Sequence, residues 1–344
     1  MALYSIFKSL VFKLDPEVAH HLTLDLMRKF SFLIPTHNID PKLSFTRNGL
    51  VFPSPFGLAA GLDKNAEVVS FLTKLPFGFI EVGTVTPKSQ QGNDLPRLFR
   101  YPEIESLRNR MGFNNHGLVS MDRNIKKSHK HQRLLGVNVG KNKTTANDDA
   151  HLDYETLMTH FDKMSEVDFL VINVSSPNTP GLRSLLQDSA LKKLFDTLES
   201  HQWLKPIYLK ISPDMSENEM NSVIDILASS KIKGLIATNT TIMTEYGEGG
   251  MSGKILFDKA RKVRSFLLQQ LKKYPDIHFI GVGGFSSFSE IKEYWMNGGD
   301  AVEIYSAFIF QGPKLLQELE NDLLEDMRNV GALNFDQYLK KIRN

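Results

Sequence analysis

Eight short apolar runs, most of them separated by stretches long enough for a helix, constrain the fold of this chain more than any other feature. They fall at 56–60, 78–82, 134–139, 169–174, 207–211, 234–237, 277–282 and 301–305. Strand-length apolar runs alternating with helix-length segments indicate a (β/α)8 TIM barrel of the α/β class rather than an open sheet. Each run ends in polar or Gly-rich text: GLDKN, GTVTP, NVGKNK, NVSSPN, KISPD, TNTT, GVGG and YSAF. In a parallel barrel all eight ends converge on one mouth, so the candidate chemistry gathers there.

A chain of 344 residues can hold such a barrel as one domain with an appendage. The expected division is a helical extension over 1–35 and a barrel over 36–344. Residues 1–33 read as two helices. The first has an apolar stripe of Leu3, Ile6, Phe7, Leu10, Val11 and Leu14, and the second starts at Asp15-Pro16-Glu17 and carries Val18, Leu22, Leu26 and Phe30 on one face. Such a pair either packs on the barrel or lies against a lipid interface, and the pattern alone leaves both open. Leu43 to Thr46 and Leu50 to Phe52 flank Asn48-Gly49, which predicts a hairpin closing one end of the barrel. The long connections 85–133 and 239–255 read as elaborations over the mouth. The basic run 123–133 reads as a solvated helix face.

Composition excludes several chemistries. With no cysteine, disulfides, iron-sulfur clusters, thiolate zinc sites and a Cys nucleophile are ruled out. The ten histidines show no metal-ligand spacing, so no metal site is expected. A net charge of +2 argues against nucleic acid as a partner. No apolar run is long enough to span a bilayer, and Lys8 and Lys13 interrupt the start in a way that argues against a secretory signal and for a cytosolic compartment.

Gly281 to Gly284 follow the seventh run and Tyr305-Ser306 end the eighth, the usual barrel position for a phosphate, on a cofactor or on a substrate. Three lysines stand at strand ends: Lys64, Lys141 or Lys143, and Lys210. Each can neutralise an anionic ligand or form a structural ion pair. Asn109, Asn114, Asn115, Asn138, Asn173, Asn178 and Asn239 form a dense set of amides that suits a planar heterocycle with alternating N–H and C=O groups.

Several motifs, in order, resemble the dihydroorotate dehydrogenases of the membrane-associated, quinone-reducing class 2. They are GLAAGLDKN (57–65), EVGTVTPK (81–88), GNDLPRLFR (92–100), NRMGFNNHG (109–117), GVNVGKNK (136–143), NVSSPNTPGLR (173–183), IATNTT (236–241), GVGGFSS (281–287) and IYSAFIFQGP (304–313). The resemblance implies oxidation of (S)-dihydroorotate to orotate in UMP biosynthesis, with FMN bound and a membrane quinone as acceptor. It further implies a monomer without an iron-sulfur subunit, in peripheral contact with the bilayer at the cytoplasmic face of the bacterial cell membrane.

By the same resemblance Ser176 is the catalytic base, helped by a water or by Thr179. Lys64, Asn109, Met111, Gly112, Phe113 and Asn114 correspond to the substrate shell, together with Asn173, Asn178, Asn239 and Thr240. Ala60, Gly61, Leu62, Asp63, Lys64, Thr84 and Asn138 correspond to the FMN shell, with Asn173, Lys210, Thr238, Gly253, Gly284, Tyr305 and Ser306. His20, rather than His21, corresponds to the quinone end with Arg100 and Tyr305. Two departures stand out: Glu303 where Gln is expected, and Ser89-Gln90-Gln91 before Gly92. Neither is expected to touch Ser176 or Lys210.

Overall fold

The computed structural model describes residues 2–175 and 189–344, except the side chains of 2, 3 and 189–192. The eight apolar runs form eight parallel strands: β1 (Phe56–Leu58), β2 (Phe79–Val85), β3 (Leu134–Val139), β4 (Phe169–Asn173), β5 (Ile207–Ile211), β6 (Gly234–Ala237), β7 (His278–Val282) and β8 (Ala301–Ile304). They pair in chain order, and the barrel closes where β8 meets β1 with Val302 opposite Phe56 and Ile304 opposite Leu58. The strands are almost wholly buried because helices cover the outside while side chains fill the inside.

Aromatic rings fill the lower interior. Phe79 lies 6.3 Å from Phe169, and Phe169 lies 5.4 Å from Tyr208, both edge to face. Gly234 makes room for this layer, since a Cβ there would come within 2.2 Å of the Tyr208 ring. The predicted hairpin forms between Phe45–Arg47 and Leu50–Phe52, with Asn48 and Gly49 at positive φ as a two-residue turn of this kind requires. It closes the strand-start end: Phe52 stacks on Phe45 at 5.0 Å and meets Phe79 and His278 edge-on at 5.3 and 5.1 Å.

At the other end, the two long connections form one element. Leu98–Tyr101 and Ser106–Asn109 pair antiparallel, and Gly250–Gly253 adds to the second of them, making a three-stranded sheet over the mouth. The basic run departs from its expected form. Its helix, Leu118–Lys127, stops before the last charges, which are paired inward: the half-buried Lys130 with Asp168 at 2.8 Å, and the buried Arg133, which donates to the His37 carbonyl at 2.6 Å.

Two N-terminal helices, α1 (Ala2–Val11) and α2 (Pro16–Phe30), cross the mouth. Asp15 caps α2, accepting from the backbone of Glu17 and Val18 at 2.9 and 3.1 Å. The expected apolar stripe of α2 does not face the barrel. Glu17, Ala19 and Leu24 do, while Val18, Leu22 and Phe30 are exposed. Leu24 joins the core with Met27 packed against it, and polar contacts hold both helices as well: Glu17 of α2 to Arg97 at 2.7 Å, and from α1 Tyr4 to the Ile309 carbonyl at 2.6 Å and Lys8 to the Phe310 carbonyl at 2.8 Å.

Phe52→Ala removes a fully buried ring from the hairpin floor and is expected to cost about 3–5 kcal/mol in equilibrium denaturation. Val51→Ala, on the outward side of the same strand, should change stability by less than about 0.5 kcal/mol.

Candidate active site

The strand ends surround one cavity of about 1400 Å³, counted to its open mouth. Its floor carries charge. Lys210, on β5, donates from Nζ to Glu81 Oε2 on β2 at 2.5 Å and to Glu303 Oε2 on β8 at 3.2 Å, and all three side chains are almost completely buried. The Glu81 carboxylate also accepts from Asn138 Nδ2 at 2.5 Å and from the Ala60 amide at 3.1 Å. Glu303 therefore does touch Lys210, contrary to the sequence expectation, because alternate residues of β8 point inward and β5 lies across the barrel.

Burial alone would lower the Lys210 pKa, but Glu303 and Glu81 outweigh it and hold the ammonium above its ordinary value. For Glu303, burial and the neighbouring Glu81 raise the pKa well above the carboxylate range, opposed by Lys210. One cation between two buried carboxylates favours proton binding by one of them.

From this floor a hydrogen-bonded chain runs along the wall. Thr84 Oγ1 donates to Asn138 Oδ1 at 2.5 Å, and Asn173 Nδ2 donates to Thr84 Oγ1 at 3.1 Å and to Asn138 Oδ1 at 3.2 Å. Ser175 donates to Asn173 Oδ1 at 2.9 Å, and Asn239 Nδ2 donates to Ser175 Oγ at 2.8 Å. Fixing each amide this way decides which edge it presents to a ligand.

Lys64 enters from the β1 loop, which Asp63 pins by accepting from the Glu67 and Val68 amides at 2.8 Å each. Burial brings the Lys64 pKa down to about 8; Glu17 and Asp63 oppose the shift and Arg97 adds to it. Lys64 makes no ion pair or hydrogen bond among the described residues, so below that pH it is a cation available to an anionic ligand. His20 lines the same cavity, and burial, then Lys64 and His21, push its pKa well below 6.5, so it is neutral at neutral pH. His21 turns outward toward Glu17, at 3.8 Å.

Most of the residues singled out in the sequence line the cavity. Lys64, Asn109, Met111, Gly112, Phe113, Asn173, Asn239 and Thr240 do so, as do Ala60, Gly61, Thr84, Lys210, Thr238, Gly253, Gly284, Tyr305, Ser306 and His20. Leu62, Asp63, Asn114, Asn138 and Arg100 do not. Leu62 is packed in the core, Asp63 and Asn138 hold their neighbours, and Arg100 donates to the Phe12 carbonyl at 3.0 Å and stacks over its ring at 4.1 Å. Lys141 is satisfied by the Thr145 and Asn142 carbonyls, and Lys143 by Asn93. Ser176, Asn178 and Thr179 lie outside the described residues.

The glycines after β7 form a cradle. A Cβ on Gly284 would fall within 2.5 Å of Phe257, and the residue has φ +83°, so the backbone here approaches more closely than any side chain allows. Behind the loop, Arg264 donates to the Val282 and Gly283 carbonyls at 2.7 and 3.0 Å and turns them away from the cavity. The amides of Gly283 and Gly284 meet no acceptor among the described residues. Thr238 Oγ1 is likewise buried without a partner.

A closed parallel barrel with a backbone cradle after β7, a buried cation in its floor and a second cation at its mouth defines a TIM-barrel enzyme for an anchored anionic ligand. Within that class, the chain belongs to the dihydroorotate dehydrogenase family, whose sequence model matches residues 42–327. It is 43% identical over 338 residues to the dihydroorotate dehydrogenase (quinone) of Pectobacterium carotovorum, covering 92% of this chain and 98% of that protein. It is also 43% identical over 341 residues to the protein of that name from Marinomonas, covering 92% and 95%. Among solved structures, the ligand-free DHODH of Eimeria tenella superposes with a TM-score of 0.83 at 33% identity, covering 94% of this chain and 98% of that one. The same enzyme in complex with ferulenol gives 0.82 at 32%, covering 94% and 96%.

Sequence reasoning missed Glu81, which resembles an ordinary strand residue until its position is noted. A carboxylate inside FIEVGTV is costly unless paired, and that was the available signal. Glu81→Ala strips Lys210, Asn138 and the Ala60 amide of their shared acceptor, and should destabilise the fold by about 3–5 kcal/mol in urea titrations at neutral pH. A loss below about 1 kcal/mol would mean that the cluster carries no buried ion pair.

Proposed function

We propose that this protein oxidises (S)-dihydroorotate to orotate, using bound FMN and passing the electrons to a membrane quinone in UMP biosynthesis. The observation that carries the reading is the presence, in one cavity, of Lys64, unpaired among the described residues, together with the buried Lys210 and the open backbone cradle at Gly283-Gly284.

The residues present fit FMN. Unpaired amides at the cradle suit its phosphate, and the unpartnered Thr238 Oγ1 and Glu303 Oε1 offer polar contacts to a heterocycle above the Lys210 floor. When bound, FMN supplies a two-electron acceptor for hydride. Lys210 would set positive charge against the electron-rich ring, and Ala60, Gly61, Thr84, Asn173, Gly253, Tyr305 and Ser306 would border it.

Lys64 would neutralise the substrate carboxylate, and Asn109, Asn173, Asn178, Asn239 and Thr240 would read its amide edges, with Met111, Gly112 and Phe113 around it and Asn114 just behind them. Ser176 Oγ would take the proton from C5 as hydride leaves C6, and a serine needs a hydrogen-bonded partner to act as base. Positive charge from Lys64 eases that proton transfer by favouring negative charge developing on the substrate. The quinone would approach between the N-terminal helices, where the neutral His20 and Tyr305 line the cavity.

The protein would act as a monomer in peripheral contact with the bilayer at the cytoplasmic face of the cell membrane. Supporting this, Ile6, Leu10, Leu14, Val18, Leu22, Phe30, Phe32 and Leu33 are all exposed on the helical extension, and Phe32 keeps 76% of its surface open. No described helix is long and apolar enough to cross a membrane.

The purified protein is expected to show a flavin absorption spectrum that bleaches on anaerobic addition of dihydroorotate; folded protein that binds no FMN, or a flavin that stays oxidised, would count against the reading. Leu10→Glu with Phe32→Glu should abolish co-sedimentation with anionic lipid vesicles while leaving that bleaching intact. Unchanged vesicle binding would show that this face is not the lipid contact.

A further inference from the structure

Three buried ionisable side chains meet at the cavity floor, and the reaction outlined above assigns a task only to Lys210. Glu81 is saturated, with donors from Lys210, Asn138 and the Ala60 amide. Glu303 differs: its Oε2 shares the Lys210 ammonium at 3.2 Å, and its Oε1 is buried, has no partner among the described residues and belongs to a residue that lines the cavity. Besides Lys210 and Glu81, no charged group among the described residues is placed against it. On the strands beside β8, β1 has no titratable side chain, and the only one on β7 is His278, at the opposite end and bonded to Tyr208 at 2.8 Å. Asp300, below it in sequence, is occupied by Arg47 at 3.2 Å.

We propose that Glu303 is a proton-binding group tied to the charge of the ring held above Lys210, taking up a proton from solvent as that ring becomes anionic and releasing it on reoxidation. The inference rests on the flavin reading given above. Its physical basis is competition for one cation. While the ring is neutral, Lys210 serves two carboxylates. Hydride from dihydroorotate brings two electrons and one hydrogen to the ring, which gains a negative charge against the same lysine. In a dry interior a third negative charge on one ammonium is costly, and Glu303 is the member of the cluster with fewest hydrogen bonds to hold its charge. Where Glu303 is ionised before reduction, the balance is one hydride to the ring and one proton to Glu303, converting COO⁻ to COOH, and both are returned when the quinone takes two electrons. Burial and Glu81 already bias Glu303 toward the protonated form.

The test is the midpoint potential of the bound flavin, measured by spectroelectrochemistry across the pH range in which the protein stays folded, in the wild type and in Glu303→Gln. One additional proton per two electrons makes the equilibrium tenfold more sensitive to each pH unit, or about 30 mV. The wild-type potential should fall more steeply than that of the variant by this amount over part of the range. Parallel lines throughout would overturn the proposal. If the variant retains no flavin, the redox-difference infrared spectrum of the wild type decides: a protonated carboxyl band that appears on reduction and shifts in D₂O supports it, and its absence overturns it. A protein that binds no FMN fails the underlying reading, whereas flavin reduced by dihydroorotate with parallel slopes fails this inference alone.

Discussion

Pairing of β8 with β1 is the contact on which the rest of the structure depends. Until it forms, eight strands make an open sheet with two unsatisfied edges; once it forms, no edge remains and every strand's C-terminal end faces one cavity. Closure also sets β2, β5 and β8 around a common interior, which places Glu81, Lys210 and Glu303 in contact although 222 residues separate the first from the last. The site's charge arrangement is therefore a product of closure rather than of any local motif.

The interior is divided by chemistry along the barrel axis. Toward the strand starts it is aromatic and dry, with the hairpin sealing the end. Toward the mouth it is polar, and almost every polar group is tied to another. Such a network is stable only when its members are satisfied, and among the described residues Thr238 Oγ1 and Glu303 Oε1, both on residues that line the cavity, are left without a partner. Unsatisfied groups at the cavity are what a ligand with its own donors and acceptors would complete.

The helical extension reverses the usual economy of an amphipathic helix. Its polar contacts, Glu17 to Arg97 and Tyr4 and Lys8 to backbone carbonyls, face the protein beside Ala19 and Leu24, while most of its large apolar residues face outward. Arg97 also bonds the Asn93 carbonyl at 3.0 Å, so α2 is tied to the loop beside the 109–115 segment and to the cavity wall. This places the outward apolar surface and the catalytic mouth on the same side of the molecule.

Much of this was legible in the residues. The eight runs located all eight strands to within three residues, Asn48-Gly49 located its hairpin, and Asp15-Pro16 located the start of α2, because each signal is local: periodicity, turn chemistry and a cap. The family followed from motif text spread along the chain. Other features depended on partners distant in sequence. The sheet over the mouth joins 98–109 to 250–253, Lys130 and Arg133 are drawn inward by Asp168 and His37, and Arg100 is turned to Phe12. The outward orientation of the α2 stripe and the contact of Glu303 with Lys210 were likewise invisible in sequence. The chain's text sufficed to place the strands and helices and the residue types at their ends, whereas which of those residues meet came only from barrel closure, because burial and charge pairing depend on what lies opposite in the barrel and not on position along the chain.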